Sequence, residues 1–179
     1  MMERDFMKSC LIVVDYQNDF VTGALGFEKA KSLESIIINK IEKYLSANRD
    51  IIFTFDTHYD DYLTTQEGKR LNIPHCIAGS EGHQLYGKVS KYLNKDSIIF
   101  KKNTFGSLEL GEYLKKMKYI EVEFVGLVTN MCILSNAVIA KAALPNSKII
   151  VDSKACMSFD DEMHEKTLDI LKGIHIDIL

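Results

Sequence analysis

The chain has 179 residues, a formal charge of −3 and 46% hydrophobic residues, enough for one domain, residues 1–179, with its own core. That charge lacks the basic field of a general nucleic-acid binder, and ten glycines with two prolines exclude a collagen-like or linker-like chain. No stretch approaches the roughly 18 apolar residues of a membrane span. The charged N-terminal eight residues lack a small-residue cleavage site, which reads against a signal peptide. Four cysteines without a CxxC pair read as reduced thiols of a cytoplasmic protein.

The first element is Cys10-Leu11-Ile12-Val13-Val14, a continuous apolar run of the kind expected of a parallel strand covered on both faces; it stops at Asp15. Leu33, Ile36, Ile37, Ile41, Tyr44 and Leu45 then form a helical stripe. Residues 50–55 read as a second strand ending at Asp56, and residues 97–100 as a third, closed by Lys101 and Lys102. Ser107 caps a helix with Glu109 in its first turn and Lys115 and Lys116 in its last. Residues 120–125 make a fourth strand, 130–143 a helix and 148–151 a fifth strand. Ser158 or Asp160 caps a final helix ending near Gly173, and residues 174–178 make a sixth strand. This alternation predicts an α/β fold: three layers, α/β/α, around a central, mostly parallel six-stranded sheet. Residues 57–95 break the rhythm, and an excursion this long inside a domain is usually functional.

Ligands of such sheets bind beyond the carboxyl ends of the strands. The residues to inspect are therefore Asp15, Asp56, Lys101 or Lys102, residues 126–132, and Asp152. Cys132 lies in the first turn of a helix after a strand, where unpaired N–H groups stabilise a thiolate or an oxyanion; a buried thiol is the common alternative. Asp15 is a general acid or base, or else a turn cap. Strand alternation lets only one of Lys101 and Lys102 face the site. Phe20 lines a pocket for a flat substrate or packs in the core. Asp56 and His58 at i, i+2 share one side of an extended chain, and with Glu67 and His75 they offer donors suited to zinc, iron or manganese. His83, His164 and His175 read as structural or exposed.

Val14-Asp15-Tyr16-Gln17-Asn18-Asp19-Phe20, Asp56-Thr57-His58, Pro74-His75-Cys76, Lys102-Asn103-Thr104-Phe105-Gly106-Ser107 and Gly126-Leu127-Val128-Thr129-Asn130-Met131-Cys132 occur in this order. In these motifs the sequence resembles the isochorismatase-like cysteine hydrolases, and among them the nicotinamidases. The resemblance implies a triad of Asp15, Lys102 and Cys132, choosing Lys102 because an aromatic, Phe105, follows it by three positions. It implies a cis peptide before Thr129, with the N–H groups of Thr129 and Cys132 facing an oxyanion. It implies one divalent metal, zinc foremost with iron or manganese as alternatives, on Asp56, His58, Glu67 and His75, and Phe20 stacking on substrate. Some relatives carry a third histidine eight residues after the aspartate, where this chain has Thr64; His83 stands where nicotinamidases often have Trp. The implied reaction converts nicotinamide to nicotinic acid and ammonia through a thioester on Cys132, a step of NAD salvage; pyrazinamide or another small amide is the alternative substrate. A small aromatic amide is thus the implied partner, and oligomers are common in the family.

Overall fold

In the computed structural model, which describes residues 8–179, β1 (Ser9–Val14) is buried along its whole length. Its alternation feeds two cores. Cys10, Ile12 and Val14 join one cluster, and Leu11 and Val13 the other. A strand apolar on both sides belongs in the middle of a sheet with helices on both faces, and the strand order is β3-β2-β1-β4-β5-β6, every pair parallel. The other strands are β2 (Asp50–Asp56), β3 (Ile98–Lys102), β4 (Glu121–Leu127), β5 (Lys148–Met157) and β6 (Asp177–Ile178). No helix among the described residues is long and apolar enough to cross a membrane.

After the short α1 (Asn18–Val21), α2 (Leu33–Ser46) covers one face, burying Leu33, Ile37, Ile41 and Tyr44; Leu45 falls off that stripe and is exposed. On the other face lie α4 (Leu108–Met117), α5 (Leu134–Ala143) and α6 (Asp161–Gly173), whose apolar sides close the first core. The caps follow side-chain chemistry. Ser107 Oγ accepts from Leu110 N–H, and Asp160, not Ser158, caps α6 by accepting from Met163 N–H. Residues 57–95 hold only short turns and α3 (Gln66–Arg70).

The largest boundary differences from expectation are at β6, confined to Asp177–Ile178 where the pattern predicts 174–178, and at β5. β5 runs on to Met157 through the polar Asp152-Ser153-Lys154, because its pairing with β4 resumes past an irregularity as Gly126↔Cys156 and Leu127↔Met157. Asp152 is therefore inside a strand and not at its end. Gly126 sits at that irregularity with φ +120, and a Cβ there would lie 2.2 Å from the Val14 carbonyl oxygen, so only glycine lets β1 and β4 approach where both strands end. The charged segment read at the N-terminus lies, for residues 1–7, outside the described residues.

Candidate active site

The parallel register places the first group of side chains. Asp56 and Lys102 are aligned partners of β2 and β3, so their side chains share a face. Alternation then sends Lys101 outward, where it is exposed, while Lys102 is buried. Asp15 follows the last residue of β1 in the left-handed region, φ 45, and is fully buried. Thr54 Oγ1 donates to Asp15 Oδ1 at 2.6 Å, and Lys102 Nζ lies 2.6 Å from Asp15 Oδ2. That second contact is a buried ion pair, and Oδ2 has no other partner among the described residues.

Lys102 Nζ also reaches Cys132 Sγ at 3.4 Å and Asp56 Oδ1 at 3.5 Å. Burial works against the ammonium, but Asp15, Cys132 and Asp56 outweigh it and push the Lys102 pKa up. Burial pushes the Cys132 thiol up as well; Lys102 opposes this and the Asp15 carboxylate adds to it. Burial also raises Asp15, with Lys102 pulling the other way. A protonated lysine, a thiol that keeps its proton and a carboxyl shifted towards neutrality are thus packed together.

Cys132 lies in a π-helical turn, Thr129–Ile133, that precedes α5. The cis peptide falls one residue earlier than the resemblance implies, between Leu127 and Val128, and Val128 is still extended (φ −101, ψ 141) before the turn begins at Thr129. Thr129 is buried, and its backbone N–H finds no acceptor among the described residues. Its Oγ1 lies 2.8 Å from His164 Nδ1, so His164 supports this turn.

The second group lies beside the first and shares Asp56 with it. Asp56 Oδ2 is 3.1 Å from His58 Nε2 and 3.2 Å from His75 Nε2, and Glu67 Oε1 is 3.7 Å from both nitrogens. One donor atom from each of the four lies within 4.8 Å of all the others. Two imidazole nitrogens and two carboxylate oxygens at that spacing fit a divalent ion of the zinc, iron or manganese type. His75 Nδ1 lies 2.8 Å from the Ile73 carbonyl oxygen, so Nδ1 carries a proton there and the ring turns Nε2 towards the cluster. Burial would raise the Asp56 carboxyl, but hydrogen bonds from His58 and His75 and the charge of Lys102 overcome it and hold Asp56 well below the usual carboxylate range.

A cavity of about 700 Å³ opens over this group, lined among others by Thr57, His58, Tyr59, Glu67, Phe105 and Met131. Met131 brings it next to Cys132, itself buried. Phe20 does not line the cavity; it packs edge-on against His75 at 5.7 Å between ring centroids.

Several organising residues carried no role in the sequence reading. Gln17 is fully buried: Nε2 donates to the Asp56 and His83 carbonyls, and Oε1 accepts from Asp56 N–H. Asn136, one helical turn beyond Cys132, donates to the Cys132 and Phe105 carbonyls and accepts from Ser107 N–H. Tyr62 packs against both His58 and His75. The i, i+4 spacing of Cys132 and Asn136 on one helix was the signal available for Asn136. Asp152 was a strand-end candidate, but its side chain pairs with Lys40 elsewhere on the sheet.

The isochorismatase domain model matches residues 9–178 of this chain. PncA of Bacillus subtilis (strain 168), described as an uncharacterized isochorismatase family protein, is 30% identical over 169 residues, 88% of this chain and 91% of its own. The nicotinamidase of Saccharomyces cerevisiae is 26% identical over 216 residues, 94% of this chain and 98% of its own. Among solved structures, nicotinamidase PncA from Bacillus subtilis has a TM-score of 0.85 at 31% identity, covering 96% of this chain and 99% of that one. The pyrazinamidase of Pyrococcus horikoshii in complex with zinc has a TM-score of 0.82 at 22% identity, covering 96% and 98%, a likeness of fold.

Proposed function

The chain belongs to the isochorismatase family, and from that premise we propose that it is a metal-dependent cysteine amidohydrolase that converts nicotinamide to nicotinic acid and ammonia. The observation that carries this reading is the meeting of Asp15, Lys102 and Cys132 in one buried contact set that shares Asp56 with a four-residue donor cluster. Relatives named nicotinamidase in yeast and Bacillus support the substrate.

In this mechanism Asp15 takes the Cys132 proton as Sγ attacks the carboxamide carbon. Its burial beside the Cys132 thiol and the upward shift of its carboxyl suit Asp15 to accept that proton. The carbonyl oxygen becomes an oxyanion held by the N–H groups of Thr129 and Cys132 at the start of the helical turn. Asp15 returns its proton to the departing nitrogen, the C–N bond breaks, and ammonia leaves a thioester on Cys132. Asp15 then removes a proton from a water that attacks the thioester carbon; the C–S bond breaks, nicotinic acid forms and the sulfur regains a proton. Lys102 stays protonated and balances the charges of Asp15 and of the thiolate as it forms.

Asp56, His58, Glu67 and His75 would hold the divalent ion, with zinc first for this donor set. When bound, it supplies a Lewis-acid contact for the pyridine nitrogen and so orients the ring. Phe105 and Met131 flank the substrate from the cavity wall, and Phe20 contributes through His75. A cavity of about 700 Å³ also has room for larger amides, so pyrazinamide and substituted nicotinamides belong in the same substrate panel. Four free, buried thiols fit a reducing compartment, and we place the protein, as one domain, in the cytoplasm.

Ammonia release from nicotinamide tests the reading directly. Cys132→Ala is expected to lower turnover by at least about a thousandfold, as removal of a catalytic nucleophile does. Wild-type turnover in that variant would refute the mechanism.

A further inference from the structure

The assignments above leave Asp19 without a task, yet its carboxylate is fully committed. Oδ2 accepts Cys76 N–H at 2.7 Å, and Oδ1 accepts Ala24 N–H at 3.1 Å. Its own N–H donates to the Gly82 carbonyl, and its carbonyl accepts from Leu25 N–H. The N–H it receives on Oδ2 belongs to the peptide joining His75 to Cys76. The Cys76 carbonyl in turn accepts His58 N–H at 3.0 Å. One carboxylate therefore fixes the peptide that carries one imidazole donor, and the same residue's carbonyl fixes the other.

Two further observations point the same way. Cys76 has φ 48, a left-handed conformation that non-glycine residues seldom adopt, and it lies between the two contacts. The Asp19 carboxylate is also packed between two glycines: a Cβ on Gly82 would fall 2.1 Å from Oδ2, and one on Gly23 would fall 2.3 Å from Oδ1. The neighbouring Phe20 packs on the His75 ring. Asp19 and Phe20 thus belong structurally to the donor cluster, although they follow the strand that delivers Asp15.

We infer that Asp19 is a positioning residue for the metal-donor set: it sets the backbone at His75 and, through Cys76, at His58, so that both Nε2 atoms converge with Asp56 and Glu67. The inference rests on the metal reading given under Proposed function. Asp19 itself makes no contact with the ion. In Asp19→Asn one oxygen becomes an NH₂ group. Both oxygens accept backbone N–H groups, so one of those donors must then face another donor.

The test is Zn(II) affinity of the purified full chain, by competition with a chromophoric chelator, alongside far-UV circular dichroism and Tm of the metal-free protein. Asp19→Asn is expected to weaken zinc binding about tenfold or more, the range seen when groups that orient metal ligands are lost. Glu67→Gln, a direct donor, is expected to weaken it at least as much, and Glu123→Gln, a remote buried carboxylate, to leave it within about twofold of wild type. Gly82→Ala separates position from charge. Gly82 is outside the left-handed region, so alanine is accommodated by the backbone while its Cβ pushes the carboxylate off Cys76 N–H with the charge kept. It too is expected to weaken zinc about tenfold, and it decides the question if Asp19→Asn does not fold. Folded Asp19→Asn with wild-type zinc affinity overturns the inference, as does weakening in Asp19→Asn without weakening in Gly82→Ala, which would make Asp19 a remote charge only. If the wild type itself binds no zinc, the metal reading falls and this inference with it; wild-type binding with both variants unaffected removes the inference alone.

Discussion

Two buried clusters in this molecule have nearly the same inventory. Lys102 lies between Asp15 and Asp56 beside the Cys132 thiol; Lys40 lies between Glu123 and Asp152 beside the Tyr44 hydroxyl. Their settings differ. Lys40 Nζ is 2.5 Å from Glu123 Oε1 and 2.6 Å from Asp152 Oδ2, and Tyr44 donates to Glu123 Oε2 at 2.7 Å, so the polar atoms consume one another under α2 in the middle of β4 and β5. The Lys102 cluster stands at the carboxyl ends of the strands next to a cavity. Its Cys132 thiol contacts the Lys102 ammonium and has no hydrogen bond to backbone among the described residues. A lysine between two carboxylates is thus not by itself a site. Position at the strand ends beside a cavity, with a thiol among the members, is what separates the two.

Replacing each lysine by methionine sharpens that contrast most. Lys102→Met is expected to lower nicotinamide turnover at least about a hundredfold, since both the thiolate and Asp15 lose their counter-charge. Lys40→Met is expected to keep turnover per folded molecule within about twofold of wild type while lowering Tm. Leaving two buried carboxylates unpaired costs at most about 3–5 kcal/mol, and less here because the Lys40 side chain is 21% exposed. Ammonia release measured on the folded fraction, with urea titration for stability, checks both. Lost activity in Lys40→Met at unchanged stability would break the comparison.

The contrast also explains what was legible in the sequence. The strands and the helices covering the sheet were visible because an apolar run or stripe carries its own period; a side-chain cap added to that signal at α4 and α6. Asp15, Asp56 and Lys102 were legible because position after a strand is a sequence property. Asp152 misled for the same reason: the polar Asp152-Ser153-Lys154 imitates a strand end, and only long-range pairing with β4 carries β5 past it. The metal-donor set was legible through its motifs and not through periodicity, because residues 57–95 have none and are shaped by single hydrogen bonds with Gln17, Asp19 and Asn18. On sequence alone Phe20 either lines a pocket or packs in the core, and its packing on His75 depends on how that loop folds.

A smaller effect is expected within the Lys40 cluster. Glu123→Gln keeps the shape and an acceptor for Tyr44 but removes the charge facing Lys40. Stability should fall by about 1 kcal/mol, the net worth of a hydrogen bond, with zinc affinity and turnover unchanged. A loss as large as that of Lys40→Met would mean that Glu123, and not the lysine, anchors α2.

The subtlest expected difference is in pH dependence. Burial disfavours the Lys40 ammonium, but hydrogen bonds and charge from Asp152 and Glu123 outweigh it, so the folded pKa is raised. A raised amine pKa stabilises the fold fully below the unfolded value of about 10.4, and that contribution is lost as pH climbs through the folded value. The stability gap between wild type and Lys40→Met should therefore stay flat from about pH 7 to pH 9 and narrow beyond about pH 10.4. Other titrating groups are common to both proteins and largely cancel in the difference, including Tyr44, whose pKa is pushed up by burial and by its bond to Glu123. Urea unfolding of the two proteins across this range measures the gap. If it widens with pH, or stays flat to the alkaline limit, Lys40 acts through packing of its alkyl stem and not through its charge. The resemblance between the two lysine clusters would then be one of composition only.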